Sequence, residues 1–374
     1  MFGIRNKYGF ICLIFALALS ACESACYYKQ AVVGQLALLN NRRPIEQILE
    51  EPDVPAELAY KLELVLKART FAEQKLHLPV EKNYLTYSDL KRPYAVWVVY
   101  AAPEFSLKPR TWYYPVIGRS AYRGYFAEKD AQRYAQYLQD EGFDTYVTGV
   151  AAYSTLGWFN DAVLNTMIRR SDTGLAALIF HELAHQLLYV SSDSAFNESF
   201  ATAVEQEGIR RWLQETGDYQ AYRRYMLGQE RRDQFVELVR NHRGDLAALY
   251  ASDMTIGEKR AEKARFFDNL RADYQRLKTG WEGYAGYDNW FQKPLNNAKL
   301  ISVATYNDFV PAFFKLLESS DGDLPAFYNK CRQLAEQSAE ERHRRLGQMM
   351  APNRPAAVYD HPQFTNNSQF TSGR

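Results

Sequence analysis

The 374-residue chain has few cysteines, few histidines and almost no net charge. Its 45 basic and 44 acidic residues leave no basic field of the kind that binds nucleic acid, so we expect no nucleic-acid partner. Of its four cysteines, Cys331 is far along the chain from the other three, which argues against a cysteine-rich structural zinc site. Neither a proline- or serine-rich linker nor an internal repeat divides the chain, and this favours one folded unit.

Long apolar runs are also scarce, and the clearest one lies near the N-terminus. Arg5 and Lys7 precede an apolar run over residues 8–19, which is too short for a stable membrane span and is typical of a secretory signal. The run closes with Leu19-Ser20-Ala21-Cys22, which resembles the lipobox of bacterial lipoproteins. The resemblance implies a lipoprotein signal peptide over residues 1–21, lipidation of Cys22 and stable attachment to a membrane through acyl chains.

The residue after Cys22 bears on the compartment. In the sorting rule of bacterial lipoproteins, aspartate at that position favours the inner membrane, so Glu23 favours the outer membrane. We therefore expect a lipid-anchored protein of the bacterial cell envelope that faces the periplasm; a secreted protein without lipid is the alternative. Cys26 and Cys331 would remain as thiols, and an oxidising periplasm permits but does not require a disulfide between them.

Two of the six histidines, His181 and His185, lie one helical turn apart in an apolar run without proline. Asp172 or Thr173 is a plausible N-cap for that helix. On one helix face the two imidazoles can hold a single Zn²⁺, and Glu182 then lies beside the metal as a candidate general base. The alternative is a helix with two polar residues on a partly exposed face.

A second predicted helix supplies the third ligand. It begins near Asn197 as its cap and ends near Trp212 or shortly after. A short polar loop joins the two helices, so they fold back as an antiparallel pair, and Glu198 can meet the histidine face. Two histidines and one glutamate leave a position for water, as catalytic zinc requires. We therefore predict one Zn²⁺ per chain.

Two further acidic residues follow on the same helix. Glu205 shares the face of Glu198 and is a candidate acceptor for the free N–H of a ligand histidine, or an anchor for a substrate ammonium group. A solvated acidic side chain is the alternative for Glu205. Glu207 points elsewhere on the helix, and we expect it at the surface.

The motif His181-Glu182-x-x-His185 followed by Asn197-Glu198-x-x-Ala201 resembles the gluzincin metallopeptidases, the thermolysin and alanyl-aminopeptidase group, although the spacing between the motifs is shorter here. Over about residues 22–337 the chain looks closer to a family of bacterial proteins named putative aminopeptidases. That resemblance also runs through Gly34-Gln35-Leu36, Arg43-Pro44-Ile45, residues 122–126, residues 153–159, Asn296-Asn297-Ala298 and Thr305-Tyr306. It implies a zinc-dependent peptidase that acts on a peptide or protein substrate.

The residue types indicate a mechanism. A zinc ion lowers the pKa of bound water toward neutrality and polarises a scissile carbonyl. Glu182 would take the water proton and pass it to the leaving amine. The negatively charged intermediate needs a further donor, and Tyr306, in a late apolar stretch, is the candidate.

The chain also offers a candidate site for the substrate backbone. A peptide substrate often adds a strand to a sheet edge. The segment with Tyr153, Ser154, Thr155 and Gly157 has strand-forming residues and a glycine that allows close backbone approach. An ordinary strand and turn leading into the histidine helix is the alternative.

Other functions stay open beside an aminopeptidase. An endopeptidase or quality-control protease of the periplasm would use the same residues. A lipoprotein binding module on an inactive zincin fold is the alternative from outside the enzymes, and the presence together of His181, Glu182, His185 and Glu198 argues against it. The sequence carries no indication of oligomeric state.

For the fold we predict the α+β class and a zincin-like arrangement. A small β-sheet lies beside the histidine helix and the glutamate-bearing helix, and the N-terminal and C-terminal parts are largely helical. Within a peptidase domain over residues 22–337, we expect a sheet-rich region at 93–160, the metal helices at 173–214 and a helical region at 218–337. The polar residues 338–374 are predicted to form a disordered tail.

Overall fold

The computed structural model describes residues 27–114, 118–152, 160–304 and 309–350. The elements, in chain order, are α1 (27–40), β1 (Arg43–Pro44), α2 (Ile45–Leu49), α3 (Ala56–Leu76), β2 (Thr86–Ser88), β3 (Val96–Pro103), β4 (Trp112–Tyr114), β5 (Gly118–Ser120), β6 (Tyr122–Tyr125), α4 (Glu128–Asp140), β7 (Phe143–Val150), β8 (Val163–Leu164), α5 (Asp172–Leu187), α6 (Ser194–Thr216), α7 (Tyr219–Ala251), α8 (Ile256–Gly280), α9 (Asp288–Gln292), α10 (Asn297–Ala304), α11 (Val310–Glu318), α12 (Leu324–Ala335) and α13 (Ala339–Met350). The molecule is of the α+β class, as predicted.

The larger antiparallel sheet has the strand order β6-β3-β7. In its central strand, Val98 pairs with Gly124 on one side and with Thr148 on the other. Helix α4 packs on one face of β3, and α10 packs on the other through Ala298. Because both faces are covered, β3 is an almost continuous apolar run rather than an alternating one.

A second small sheet has the order β1-β2-β8, and β4 pairs with β5 as a separate hairpin. Strand β4 lies within the region predicted to be sheet-rich, residues 93–160, but does not join the larger sheet. The third strand of that sheet is instead β6, from Tyr122 to Tyr125, within the motif at residues 122–126. Strands β3 and β7 of the same sheet also lie within residues 93–160.

The main hydrophobic core forms between α3, α5, α6, α11, α12 and α13. Helices α5 and α6 lie at its centre and approach closely where Gly208 faces Phe180. Their apolar faces are fully buried, whereas their other faces carry the histidines and glutamates of the motif. The core therefore holds the two motif helices as an antiparallel pair, as the short loop predicts.

A second core lies between α7, α8 and α9, with Phe235, Leu270 and Tyr274 buried in it. Within the region predicted to be helical, residues 218–337, the described residues form helices α7 to α12, and a break at residues 252–255 separates α7 from α8. Thr255 and Glu258 form a reciprocal capping box there, which satisfies the first free N–H groups of α8.

The predicted disordered tail is wrong for residues 339–350, which form α13. This helix is amphipathic, with Leu346 fully buried against the main core. Arg342 is also buried, in an ion pair with Asp193. The many charged residues of α13 suggested a solvent-exposed segment. Its apolar residues and its ion-paired Arg342 nevertheless lie on one face of the helix. Residues 351–374 lie outside the described part of the chain. None of the described helices is both long and apolar enough to span a bilayer.

Candidate metal centre

Helix α5 carries the two histidines of the motif. Its N-cap is Ser171, whose hydroxyl accepts from the backbone N–H of Gly174 at 3.2 Å. The predicted caps, Asp172 and Thr173, are therefore wrong by one or two residues, and both belong to the first turn. The carboxylate of Asp172 instead accepts from Lys61 at 2.6 Å, which ties α5 to α3.

Helix α6 begins one turn earlier than predicted. Its N-cap is Asp193, which accepts from the N–H of Phe196 at 3.1 Å. Asn197 is not the cap but a buried residue of the first turn. Its side-chain amide accepts from the N–H of Val190 and donates to the carbonyl of Val190, both at 2.8 Å. Asn197 thus pins the loop between the two helices and fixes the position of its neighbour Glu198.

The structure brings His181, His185 and Glu198 together. The two Nε2 atoms are 3.2 Å apart. Glu198 Oε2 lies 3.4 Å from His181 Nε2, and Glu198 Oε1 lies 3.7 Å from His185 Nε2. A tetrahedral zinc ion with bonds of about 2.0–2.2 Å separates its ligands by roughly 3.3–3.6 Å. The three donors therefore have the spacing and the chemistry that zinc prefers.

Glu205 hydrogen-bonds Nδ1 of His181, the ring nitrogen that faces away from the other two predicted ligands. Its Oε2 lies 3.0 Å from His181 Nδ1, and Tyr225 of α7 donates to its Oε1 at 3.3 Å. A carboxylate partner favours a proton on Nδ1, so Nε2 is the ring nitrogen left to bind a metal ion once it gives up its own proton. Tyr225 was not singled out from the sequence, because its contact with Glu205 depends on how α7 packs on α6.

The protonation of the three donors reflects burial and mutual contact. Burial lowers the pKa of His185 to about 4, which keeps that ring neutral. Burial alone would also lower the pKa of His181, but its hydrogen bonds with Glu198 and Glu205 outweigh burial and raise it. Burial acts to raise the pKa of Glu198, and the hydrogen bond with His181 outweighs it and lowers that pKa. The cluster therefore contains ionised carboxylate, as metal binding requires.

Glu182 follows His181 on α5 and is partly buried. Burial, together with the charges of Glu198 and Asp161, raises its pKa to about 7. The buried Tyr84 lies nearby. Burial raises the pKa of its phenol most, and the charge of Glu182 raises it further. A carboxyl group with a pKa near neutrality is suited to take up and release a proton under physiological conditions.

Two tyrosines near Glu198 were missed by the sequence analysis. Burial, followed by the charge of Glu198, raises the pKa of both Tyr122 and Tyr189. Tyr189 lies four residues after His185, just beyond the end of α5, and their rings are 6.3 Å apart, so its nearness in sequence could have indicated it. Tyr122 comes from β6, and nothing in its local sequence connects it to the histidine helix.

Several predicted functional residues lie outside the described part of the chain. These are Tyr306, the segment with Tyr153, Ser154, Thr155 and Gly157, and the predicted lipidation site Cys22.

The expectation that Glu207 lies at the surface is wrong. Its side chain is buried and accepts from Arg210 at 2.7 and 2.8 Å and from Arg211 at 2.6 Å. Arg211 also donates to the carbonyl of Gly322, which connects α6 to the loop before α12. Two guanidinium groups one turn away compensate the burial of the carboxylate.

No curated protein and no solved structure matches the chain. A protein-family model described as "Putative aminopeptidase" matches residues 26–346, which is most of the chain and includes the motif helices and the first part of α13. The chain therefore belongs to the family described as "Putative aminopeptidase".

Proposed function

We propose that the protein is a zinc-dependent metallopeptidase and that His181, His185 and Glu198 hold its metal. The observation that carries the proposal is the convergence of two imidazole nitrogens and one carboxylate at 3.2 to 3.7 Å. Membership in a family named for aminopeptidases adds independent support for peptide hydrolysis. Among the described residues the cluster has three protein ligands, not four, which favours catalysis over a structural role.

A bound zinc ion would supply Lewis-acid polarisation of the scissile carbonyl and a lowered pKa for water. The chain's own residues supply the proton chemistry and the orientation. Glu182 takes a proton from the attacking water onto its carboxylate and later donates it to the nitrogen of the leaving amine. The raised pKa of Glu182, about 7, supports both halves of that transfer. Glu205 holds the His181 ring in the orientation that presents Nε2.

Negative charge that develops on the carbonyl oxygen needs a hydrogen-bond donor. The hydroxyls of Tyr122 and Tyr189 stay protonated, because burial and the charge of Glu198 raise their pKa values. Both are therefore candidates to donate to that oxygen. Tyr306 stays a prediction for the same role.

The contacts of Glu205 favour one of its two predicted roles. Both of its carboxylate oxygens are engaged, one by His181 and one by Tyr225. This supports a role in orienting His181 and disfavours the anchoring of a substrate ammonium group. An aminopeptidase must then bind the α-ammonium group of its substrate elsewhere.

We further propose that the enzyme is a lipoprotein of the bacterial envelope. The lipobox-like Leu19-Ser20-Ala21-Cys22 supports acylation of Cys22, and Glu23 supports the outer membrane over the inner one. The catalytic domain would then face the periplasm and act on peptides or envelope proteins.

Cleavage of a peptide library, in free and N-acetylated form, tests the proposed activity. We expect the zinc-loaded protein to cleave free peptides and to lose turnover on acetylated ones. Glu182→Gln should lower turnover by roughly 10²- to 10⁴-fold, because the proton acceptor is lost. Its zinc content should stay that of the unaltered protein.

If acetylated peptides are still cut at the same internal bonds, the protein is an endopeptidase and not an aminopeptidase. Equal turnover by Glu182→Gln would contradict the role of Glu182. A zinc-loaded protein without any turnover would favour the inactive binding module.

A further inference from the structure

Helix α1 is attached to the domain by one face. Tyr27 packs edge-on against Tyr125 of β6, with ring centroids 5.6 Å apart. Gln30 accepts from the backbone N–H of Phe126 at 3.1 Å, and Gly34 lies so close that a Cβ there would overlap the ring of Phe126. Leu38, at the far end, is buried in the main core. These contacts recur at helical spacing, so α1 is seated along its whole length.

The opposite face of α1 is apolar and exposed. Tyr28, Val32, Val33 and Leu36 keep 47%, 57%, 57% and 50% of their surface accessible. They lie four, five and eight residues after the first of them and form one stripe. The outer face of a surface helix normally carries charged residues, yet Lys29 is the one charged residue between positions 27 and 40. The stripe is therefore unsuited to bulk water.

The position of α1 in the chain indicates what covers this stripe. Cys22, the proposed lipidation site, lies five positions before Tyr27. A fully extended chain of that length spans at most about 17 Å. Acyl chains on Cys22 would therefore hold the start of α1 close to the bilayer surface, whatever path the intervening residues take.

We propose that the outer face of α1, defined by Tyr28, Val32, Val33 and Leu36, docks on the phospholipid surface beside the acylated Cys22. The inference rests on the lipid anchoring in the proposed function. Apolar side chains of an interfacial helix enter the boundary between headgroups and acyl chains. Tyr28 combines an apolar ring with a polar hydroxyl, which suits that boundary, and Lys29 complements anionic headgroups. Without acidic residues, α1 offers no charge that such a surface would repel.

Docking would orient the peptidase domain on the membrane. The inner face of α1 contacts Phe126, which directly follows β6, and β6 carries Tyr122 near Glu198. A helix held on the bilayer by its outer face would thus place the candidate metal centre at a set orientation to the surface, instead of leaving the domain to tumble on a flexible tether.

The acylated full-length protein in vesicles of phosphatidylethanolamine and phosphatidylglycerol tests the docking. A fluorescent probe is attached at Val33→Cys or, as a matched control, at Ile256→Cys; these positions are 57% and 61% exposed. Cys26 is replaced by serine in both variants, and the buried Cys331 stays unlabelled. Equal thermal unfolding midpoints show that labelling leaves the fold intact.

We expect nitroxide groups on the lipid chains to quench the probe at position 33 at least about five-fold more than the probe at position 256. Iodide in the water should show the reverse preference. Equal quenching at the two positions by both reagents would overturn the docking. A probe at position 33 that is shielded from both quenchers would also overturn it, because protein, such as a second copy of this chain, would then cover the stripe.

Mass spectrometry of the same sample separates this inference from the proposal on which it rests. Missing acyl chains on Cys22 would remove both the anchoring and the docking. An acylated Cys22 with a water-exposed probe at position 33 would leave the anchoring intact and reject the docking alone. Peptide turnover enters neither readout, so failure of the peptidase proposal is distinguishable from both.

Discussion

At the scale of single residues, Glu205 and Glu207 lie two positions apart on α6 and do different things. Glu205 hydrogen-bonds the outer nitrogen of His181, whereas Glu207 pairs with Arg210 and Arg211. We expect Glu205→Gln to weaken zinc binding by about 10- to 100-fold, because a neutral amide orients and polarises the imidazole less well than a carboxylate. Competition with a chromophoric chelator measures this affinity.

Glu207→Gln is the matched control on the same helix. It should leave zinc affinity unchanged and lower the free energy of unfolding by roughly 1–3 kcal/mol, because the buried side chain loses its charge-assisted hydrogen bonds with two partly buried arginines. Chemical denaturation measures that loss. A similar drop in zinc affinity for both variants would show that the effect of Glu205 is merely structural.

The role of a residue is easier to predict when its contacts are with residues close to it in the sequence. His181, His185 and Glu198 are set by one helical turn and one short loop, so spacing alone places them on facing surfaces. The environment of Glu207 was misjudged although its partners Arg210 and Arg211 stand three and four positions later, a spacing that indicates ion pairs.

Tyr122 could not be predicted in the same way. Its place near Glu198 depends on how the larger sheet packs beside α6, and no local pattern records that packing.

At the scale of elements, the buried ion pair of Asp193 with Arg342 joins the N-terminus of α6 to α13. Arg342 Nη2 lies 2.6 Å from Asp193 Oδ2, and His343 Nε2 lies 2.9 Å from Oδ1. Asparagine caps helices about as well as aspartate, so Asp193→Asn removes mainly the charge. We expect it to destabilise the protein by about 3–5 kcal/mol at neutral pH, because Arg342 stays buried without its counter-ion.

The pH dependence of that loss has a definite sign. Burial acts to raise the pKa of Asp193, but the hydrogen bond from His343, the N–H of Phe196 and Arg342 together lower it below its usual value. A depressed pKa contributes stability above the unfolded value, about 3.9, and loses it as pH falls through the folded value. The difference in unfolding free energy between Asp193→Asn and the unaltered protein should therefore be fully present at about pH 5 and shrink as the pH falls below about 4. A constant difference down to pH 3 would contradict the ion pair.

Close packing of α5 and α6 gives a second prediction for these elements. A Cβ on Gly208 would lie 2.8 Å from Leu76 and 2.8 Å from Phe180, both buried in the main core. Gly208→Ala should destabilise the protein by about 1–3 kcal/mol through overpacking. Gly228, inside α7, has no neighbour within 4 Å of such a Cβ, so Gly228→Ala should stabilise by about 0.5–1 kcal/mol. Thermal unfolding of the two variants should shift in opposite directions, and a shift of the same sign would contradict the close approach.

Element boundaries were harder to predict than element types. The segment at the start of α6 holds Ser191, Ser192, Asp193 and Ser194, and all of these residue types can cap a helix. The buried guanidinium of Arg342 selects Asp193, and that residue belongs to a helix far along the chain. The charged composition of α13 hid its apolar face for the same reason, since the partner surface is not adjacent in sequence.

At the scale of the whole molecule, two hydrophobic cores contribute to the candidate metal centre. The main core holds α5 and α6, while α7, which runs into the second core, provides Tyr225 against Glu205. The α+β class was predicted from the change between apolar strands and helical patterns. The separation of the strands into two sheets and a hairpin was not, because pairing partners are chosen by three-dimensional packing and not by strand propensity.

Zinc stoichiometry of the purified protein tests the central claim most directly. Elemental analysis after dialysis against metal-free buffer should find one zinc per chain in the unaltered protein. Glu198→Ala should lose most of the metal with an unchanged circular-dichroism spectrum, because one of three ligands is gone. A folded, unaltered protein without metal, or a Glu198→Ala variant with full zinc content, would contradict the account.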